Sequence, residues 1–60
     1  MSTRSELSSV ATGLGEIAER ISAIAEGLDG TEKDLVGPAL FDVERSLRSA
    51  ERRLAKLLRG

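Results

Sequence analysis

The chain contains no cysteine and no histidine, and Phe41 is the only aromatic residue among its 60 residues. Domains shorter than roughly 70–80 residues seldom gain more than about 3–5 kcal/mol from a single core, so they often rely on a disulfide, a metal ion or a partner. The residue types that usually provide the first two supports are missing. We therefore expect this small domain to be stabilised by oligomerisation or by a binding partner.

Long apolar segments are also missing. No apolar run approaches the ~20 residues that cross a bilayer, and the start MSTRSEL has no apolar segment typical of a signal peptide. The lack of cysteine is compatible with a reducing compartment. These absences predict a soluble, cytoplasmic protein with no membrane span.

The sequence does contain two series of aliphatic residues whose steps alternate between three and four. This spacing is typical of the a and d positions of coiled-coil heptads, whereas strands would need a period of two. The pattern predicts an all-α fold in which two helices pair as an antiparallel hairpin. The predicted hairpin core consists of Leu7, Val10, Leu14, Ile17, Ile21, Ile24 and Leu28 in the first helix and Val36, Leu40, Val43, Leu47, Ala50, Leu54 and Leu57 in the second.

The boundaries follow from capping signals in a single domain over residues 1–60. Thr3 and Thr31 are each followed three residues later by an acidic residue, the pattern of a capping box at a helix start. Gly30 can take the left-handed conformation beyond the end of a helix. We predict helix 1 at about 4–28, a turn at 29–31 and helix 2 at about 32–58. Pairing residues whose numbers sum to 64 then matches seven apolar layers, with Ile17 opposite Leu47 in the centre.

Pro38 leaves two interpretations of helix 2. A proline inside a helix removes one backbone hydrogen bond, so the main helix could instead begin at Pro38, where proline is favoured. However, Val36 and Leu40 keep the heptad phase across the proline. The phase favours one continuous helix that is bent near Gly37–Pro38.

A two-helix hairpin leaves a second side of each helix uncovered. Ala11, Ala18 and Ala25 occupy successive e positions of helix 1, and small side chains there would let another helix approach closely. This widens the apolar face beyond a two-helix seam. We predict that the hairpin dimerises into a four-helix bundle through an oligomer or partner face made of Ala11, Ala18, Ala25, Phe41 and Leu58.

Catalytic side chains are scarce, because the chain lacks histidine, cysteine, tyrosine and tryptophan. Glu16, Glu19 and Glu26 share one helix surface, but they are predicted to point outward, whereas bundle metal sites need inward carboxylates and histidines. The sequence therefore predicts a protein that is not an enzyme and has no cofactor or metal. Its expected function is protein–protein interaction, as a small adaptor, regulator or assembly subunit that forms homodimers or binds a larger protein.

The second half of helix 2 carries a basic stripe that allows a different interpretation. Such a stripe could follow the phosphates of a nucleic acid, although it could equally be a solvated face with ion pairs along the helix. The net charge of −1 and the lack of stacking aromatics favour the second interpretation. A nucleic-acid-binding regulator remains the alternative function. The basic stripe consists of Arg45, Arg48, Arg52, Arg53, Lys56 and Arg59.

Overall fold

The computed structural model describes residues 2–60, which form two α-helices and a two-residue connection. Helix α1 spans Thr3–Gly27 and helix α2 spans Gly30–Arg59. The two helices pack against each other along a molecule 46 Å long. The predicted all-α fold with a two-helix hairpin is confirmed.

Helix α1 begins with a cap provided by Ser2. The Ser2 backbone is extended, and its hydroxyl oxygen accepts a hydrogen bond from the Ser5 N–H at 3.1 Å. This bond satisfies one of the N–H groups that lack a partner in the first turn of a helix. The sequence pattern placed the cap at Thr3, but Thr3 is the first helical residue, because Ser2 has the same capping chemistry one position earlier.

The reversal between the helices is made by Leu28 and Asp29 in extended conformations, followed by Gly30 at a φ of +59°. Glycine adopts this left-handed conformation without the steric cost that a Cβ atom imposes. Helix α2 therefore begins at Gly30, with Asp29 as a cap residue whose side chain makes no capping hydrogen bond. The expected capping box at Thr31 is not used, because Thr31 already lies inside the first turn.

Helix α2 runs without interruption through Pro38. The pyrrolidine ring usually clashes with the Cβ atom of a preceding helical residue, and Gly37 has no Cβ atom. Proline also lacks an N–H group, so the carbonyl of Asp34 loses its usual helical partner. Of the two interpretations of helix 2, the structure has the continuous one, and the bend near Gly37–Pro38 stays a prediction.

The seam between the helices differs from the predicted one. Ala18 is fully buried, Ala25 is nearly so, and Gly37 is the buried residue of α2. Since α2 is the only other element within residues 2–60, burial of Ala18 means that this alanine packs against α2. The alanine column of α1 is thus part of the hairpin seam, and it was wrongly assigned to the oligomer face.

Half-buried residues complete the seam on both sides of these small residues. They include eight of the predicted core residues together with two residues that were predicted on the partner face. In α1 they are Leu7, Ala11, Leu14, Ile21 and Leu28, counting the residue just after the helix, and in α2 they are Leu40, Leu47, Ala50, Leu54 and Leu58.

Two contacts between the helices, one near the chain termini and one near the middle of the hairpin, lie within two residues of the predicted register. The guanidinium of Arg4 donates a hydrogen bond to the carbonyl oxygen of Leu58, a pair whose numbers sum to 62. Gly15 lies against Glu51, where an added Cβ atom would come 2.7 Å from a carboxylate oxygen, a pair that sums to 66. Both sums lie close to the expected 64.

Candidate interaction surface

The structure leaves six bulky aliphatic side chains exposed in two columns, one on each helix. Their exposed fractions range from 41% to 67%. The residues within each column are seven or fourteen positions apart, so they stand above one another along the helix. We call this set the apolar face, and it consists of Val10, Ile17 and Ile24 of α1 and Val36, Val43 and Leu57 of α2.

Helix geometry places both columns on the same side of the hairpin. Successive residues are rotated by about 100°, which puts each column about 80° from the centre of its helix's contact with the other helix. The two helices run in opposite directions, so an equal offset in both brings the columns to one common side. On the opposite side of the hairpin, residues of both helices also lie together. Ala25 and Glu26 of α1 line one groove with Gly37 and Phe41 of α2.

All six residues of the apolar face were predicted to form the hairpin core, and within the hairpin this prediction is wrong. In α1, Val10 lies three residues after Leu7 and four before Leu14, whereas Ala11 lies four after and three before, so both columns alternate three and four with the leucines. Either column could therefore have formed the seam. The structure uses the column of Ala11, Ala18 and Ala25, because methyl side chains let the two backbones approach closely.

Leu58 and Phe41, the two other residues of the predicted partner face, lie outside the apolar face. Leu58 is half-buried, and its carbonyl oxygen receives the hydrogen bond from Arg4. Phe41 is 46% exposed and lies with Pro38 beside the groove near the turn, on the side away from the apolar face. An added Cβ atom on Gly37 would meet nothing within 4 Å, so the groove is open above this glycine.

Two carboxylates that sequence reasoning did not place in the seam lie at its edge. The side chains of Glu44 and Glu51 are 23% and 35% exposed, and both approach the guanidinium of Arg48, at 3.9 and 3.6 Å. The available signal was the seven-residue spacing of Gly37, Glu44 and Glu51. These residues face the column of small residues in α1, where there is room for a partly buried carboxylate.

The basic stripe divides into paired and unpaired cations. Arg45 is paired with Asp42 at 3.2 Å, and Arg48 is paired with Glu44 and Glu51. The remaining four are exposed, and within residues 2–60 they form no ion pair. They are Arg52, Arg53, Lys56 and Arg59.

No protein-family model matches this sequence, and neither the curated proteins nor the solved structures provide a match. Within residues 2–60, no three acidic side chains are grouped as a metal site would require. Neither of the two helices is apolar over a stretch long enough to cross a membrane. The surface features described above are the apolar face, the groove near the turn and the basic stripe.

Proposed function

We propose that the protein is a non-catalytic protein–protein interaction module that self-associates through the apolar face. The observation that carries the proposal is the position of six bulky aliphatic side chains on one side of the hairpin, where the single chain does not cover them. Monomeric proteins in water rarely expose contiguous apolar patches larger than a few hundred Å². A face of this kind is typical of a surface that another helix pair covers.

The small size of the interior supports the same proposal. Among residues 2–60, Ala18 and Ala25 are the only buried hydrophobic residues. Two methyl groups and a half-buried column of leucines provide little hydrophobic stabilisation, since a fully buried aliphatic side chain contributes about 1.5–3 kcal/mol. Covering the apolar face would bury Ile17 and its neighbours as well, and would thereby provide the core that a lone hairpin lacks.

The proposed complex is a homodimeric four-helix bundle. In such a bundle each helix contacts two neighbours, on sides roughly 90° apart. The alanine column and Leu14 would face the helix of the same chain, and Val10, Ile17 and Ile24 would face the second copy. A closed two-fold pair is the commonest assembly of identical chains. The biological role is then that of an adaptor, a regulator or an assembly subunit in the cytoplasm, in which a larger protein binds the bundle.

Sedimentation of the full chain tests the proposal. We expect a mass of twice 6.4 kDa at tens of micromolar and a melting temperature that rises with protein concentration, because folding and association are coupled. Ile17→Arg introduces a cation into the apolar face and should yield monomers. Thr12→Arg adds the same side chain to an exposed position outside this face and should leave the dimer intact.

The proposal fails if the wild-type chain is a monomer at this concentration with a melting temperature that is independent of concentration. It also fails if Thr12→Arg disrupts association as strongly as Ile17→Arg, since the apolar face would then have no special role. In the first case, the face would be free for a different protein.

The four unpaired cations of the basic stripe favour a second candidate function, the binding of nucleic acid. The Arg4 guanidinium lies at the same end of the hairpin, beside the Leu58 carbonyl. Phosphate contacts by these cations would make the affinity fall steeply with salt concentration. Fluorescence anisotropy with labelled single-stranded RNA and duplex DNA at low salt tests this function. Arg52→Gln should weaken any such binding, and no binding by the wild-type chain at low salt would reject it.

A further inference from the structure

The apolar face and the charges around it favour one orientation of two copies of the chain. Taking the proposed homodimer as its basis, we propose that the second copy docks on the apolar face with its turn at the opposite end, so that the two hairpins are antiparallel. The partner is thus a second copy of this chain in one defined orientation. The charge of the two ends and the pairing of the aliphatic columns support this orientation, and the size of the face supports the pairing itself.

The two ends of the hairpin carry opposite net charge. The central layer at Ile17 and Leu47 divides the chain into a turn half, residues 17–47, and an open half, residues 1–16 and 48–60. The turn half contains seven acidic and three basic side chains, which give −4, and the open half contains three acidic and six basic side chains, which give +3. Together they account for the net charge of −1.

These charges distinguish the two ways in which two hairpins can pack face to face about a two-fold axis. If both turns lie at the same end, the two turn halves, each with a charge of −4, face each other, and so do the two open halves, each with +3. The helix axes are then about 8–10 Å apart. If the turns lie at opposite ends, each −4 half faces a +3 half. The separation is comparable to the screening length of about 8 Å at physiological ionic strength, so salt weakens both the repulsion and the attraction and low ionic strength strengthens them.

The aliphatic columns are self-complementary in the antiparallel orientation. The two-fold axis then passes near Ile17, which packs against Ile17 of the second copy, and Val10 packs against Ile24 of the second copy. In α2, Val36 packs against Leu57 of the second copy. Val43 packs against Ala50 of the second copy, a small residue in the same column of α2. No charged side chain lies within the columns.

The face is also large enough for a stable pair. The hairpin measures 46 Å by 16 Å in the plane of the two helices, and these dimensions define a footprint of roughly 740 Å². Stable protein interfaces of standard size cover about 800 Å² on each partner. One copy of the hairpin therefore covers the face of another along its whole length.

A distance between the two turns tests the orientation directly. Because the chain has no cysteine, Asp29→Cys provides a single site for a nitroxide label. Asp29 is exposed and its side chain makes no capping hydrogen bond, so the label should leave the fold unchanged. Pulsed dipolar electron paramagnetic resonance then measures the distance between labels on the two copies. With the two-fold axis near Ile17, Asp29 lies 12 residues from the axis. A helical rise of about 1.5 Å per residue then places the two labels of antiparallel hairpins about 36 Å apart along the helix axes.

Glu16→Cys is the control, because it lies next to the central layer and is exposed. Labels there should be within about 20 Å, roughly two interhelical spacings, whichever way the hairpins are oriented. A short distance at Glu16→Cys with a long distance at Asp29→Cys supports the inference. Short distances at both sites overturn the antiparallel orientation but leave the proposed dimer standing. Monomeric sedimentation with no distance at either site overturns both.

Discussion

Ala18→Leu tests the assignment of the alanine column to the hairpin seam. Ala18 is 0% exposed, so three additional carbon atoms have no free space to occupy. Overpacking of a closed contact typically costs about 1–3 kcal/mol. Alanine and leucine are both good helix formers, so the change in backbone propensity is small and the steric term dominates.

This cost is large for a domain of this size. A core in such a chain seldom contributes more than about 3–5 kcal/mol, so a loss of about 2 kcal/mol removes around half of the stability. For domains of 60–100 residues, each 1 kcal/mol shifts the melting temperature by about 4–8 °C. We therefore expect Ala18→Leu to lower the melting temperature by roughly 8–16 °C. Thermal melts followed by circular dichroism at one fixed protein concentration measure this change.

Ala23→Leu is the matched control for this experiment. It introduces the same side chain into the same helix five residues away, at an exposed position. Substitutions at exposed positions usually change the free energy of unfolding by less than about 0.5 kcal/mol. If Ala18→Leu and Ala23→Leu melted at the same temperature, Ala18 would not lie in a closed contact with α2, and the assignment of the seam would be refuted.

Three further changes test other parts of the hairpin. Leu47→Ala should lower the free energy of unfolding by about 1–2 kcal/mol, less than for a fully buried leucine, because its side chain is half-buried. Leu35→Ala, at a side chain that is 74% exposed, should change it little, and equal melting temperatures would contradict this. Pro38→Ala should restore one backbone hydrogen bond in α2 and raise the melting temperature, and a lower value would contradict the continuous helix. Gly13→Ala should raise the free energy of unfolding by about 0.5–1 kcal/mol, since its added Cβ atom meets nothing within 4 Å. Gly15→Ala should gain less in the same urea titration, because a carboxylate of α2 has to move, and an equal gain would contradict that contact.

Phe41, beside the groove near the turn, shows what the heptad pattern leaves open. Phe41 was expected on the oligomer face because it lies outside the heptad seam. In the structure it lies beside Pro38 and the open space above Gly37, on the side away from the apolar face. Its position depends on the rotation of α2 about its own axis, a quantity that residue spacing along one helix does not specify.

The amino-acid pattern was enough to predict the two helices and their antiparallel pairing, whereas most of the predicted layers contain a residue that lies outside the seam. Heptad spacing is typical of helices, and a turn as short as the predicted 29–31 requires antiparallel neighbours. The structure has a shorter connection, made of Leu28 and Asp29. These features are local, because they depend on the residues within one helix or one turn.

The identity of the columns that form the seam depends on how the two helices pack together. The columns that start at Val10 and at Ala11 repeat with the same period, so periodicity cannot separate them, and hydrophobicity favours the wrong one. The choice depends on how closely the two backbones approach, which the small side chains of Ala18 and Ala25 on α1 allow. This close packing depends on the surfaces of both helices. It leaves Ile17 exposed on the outside of the hairpin and buries Ala18 between the helices.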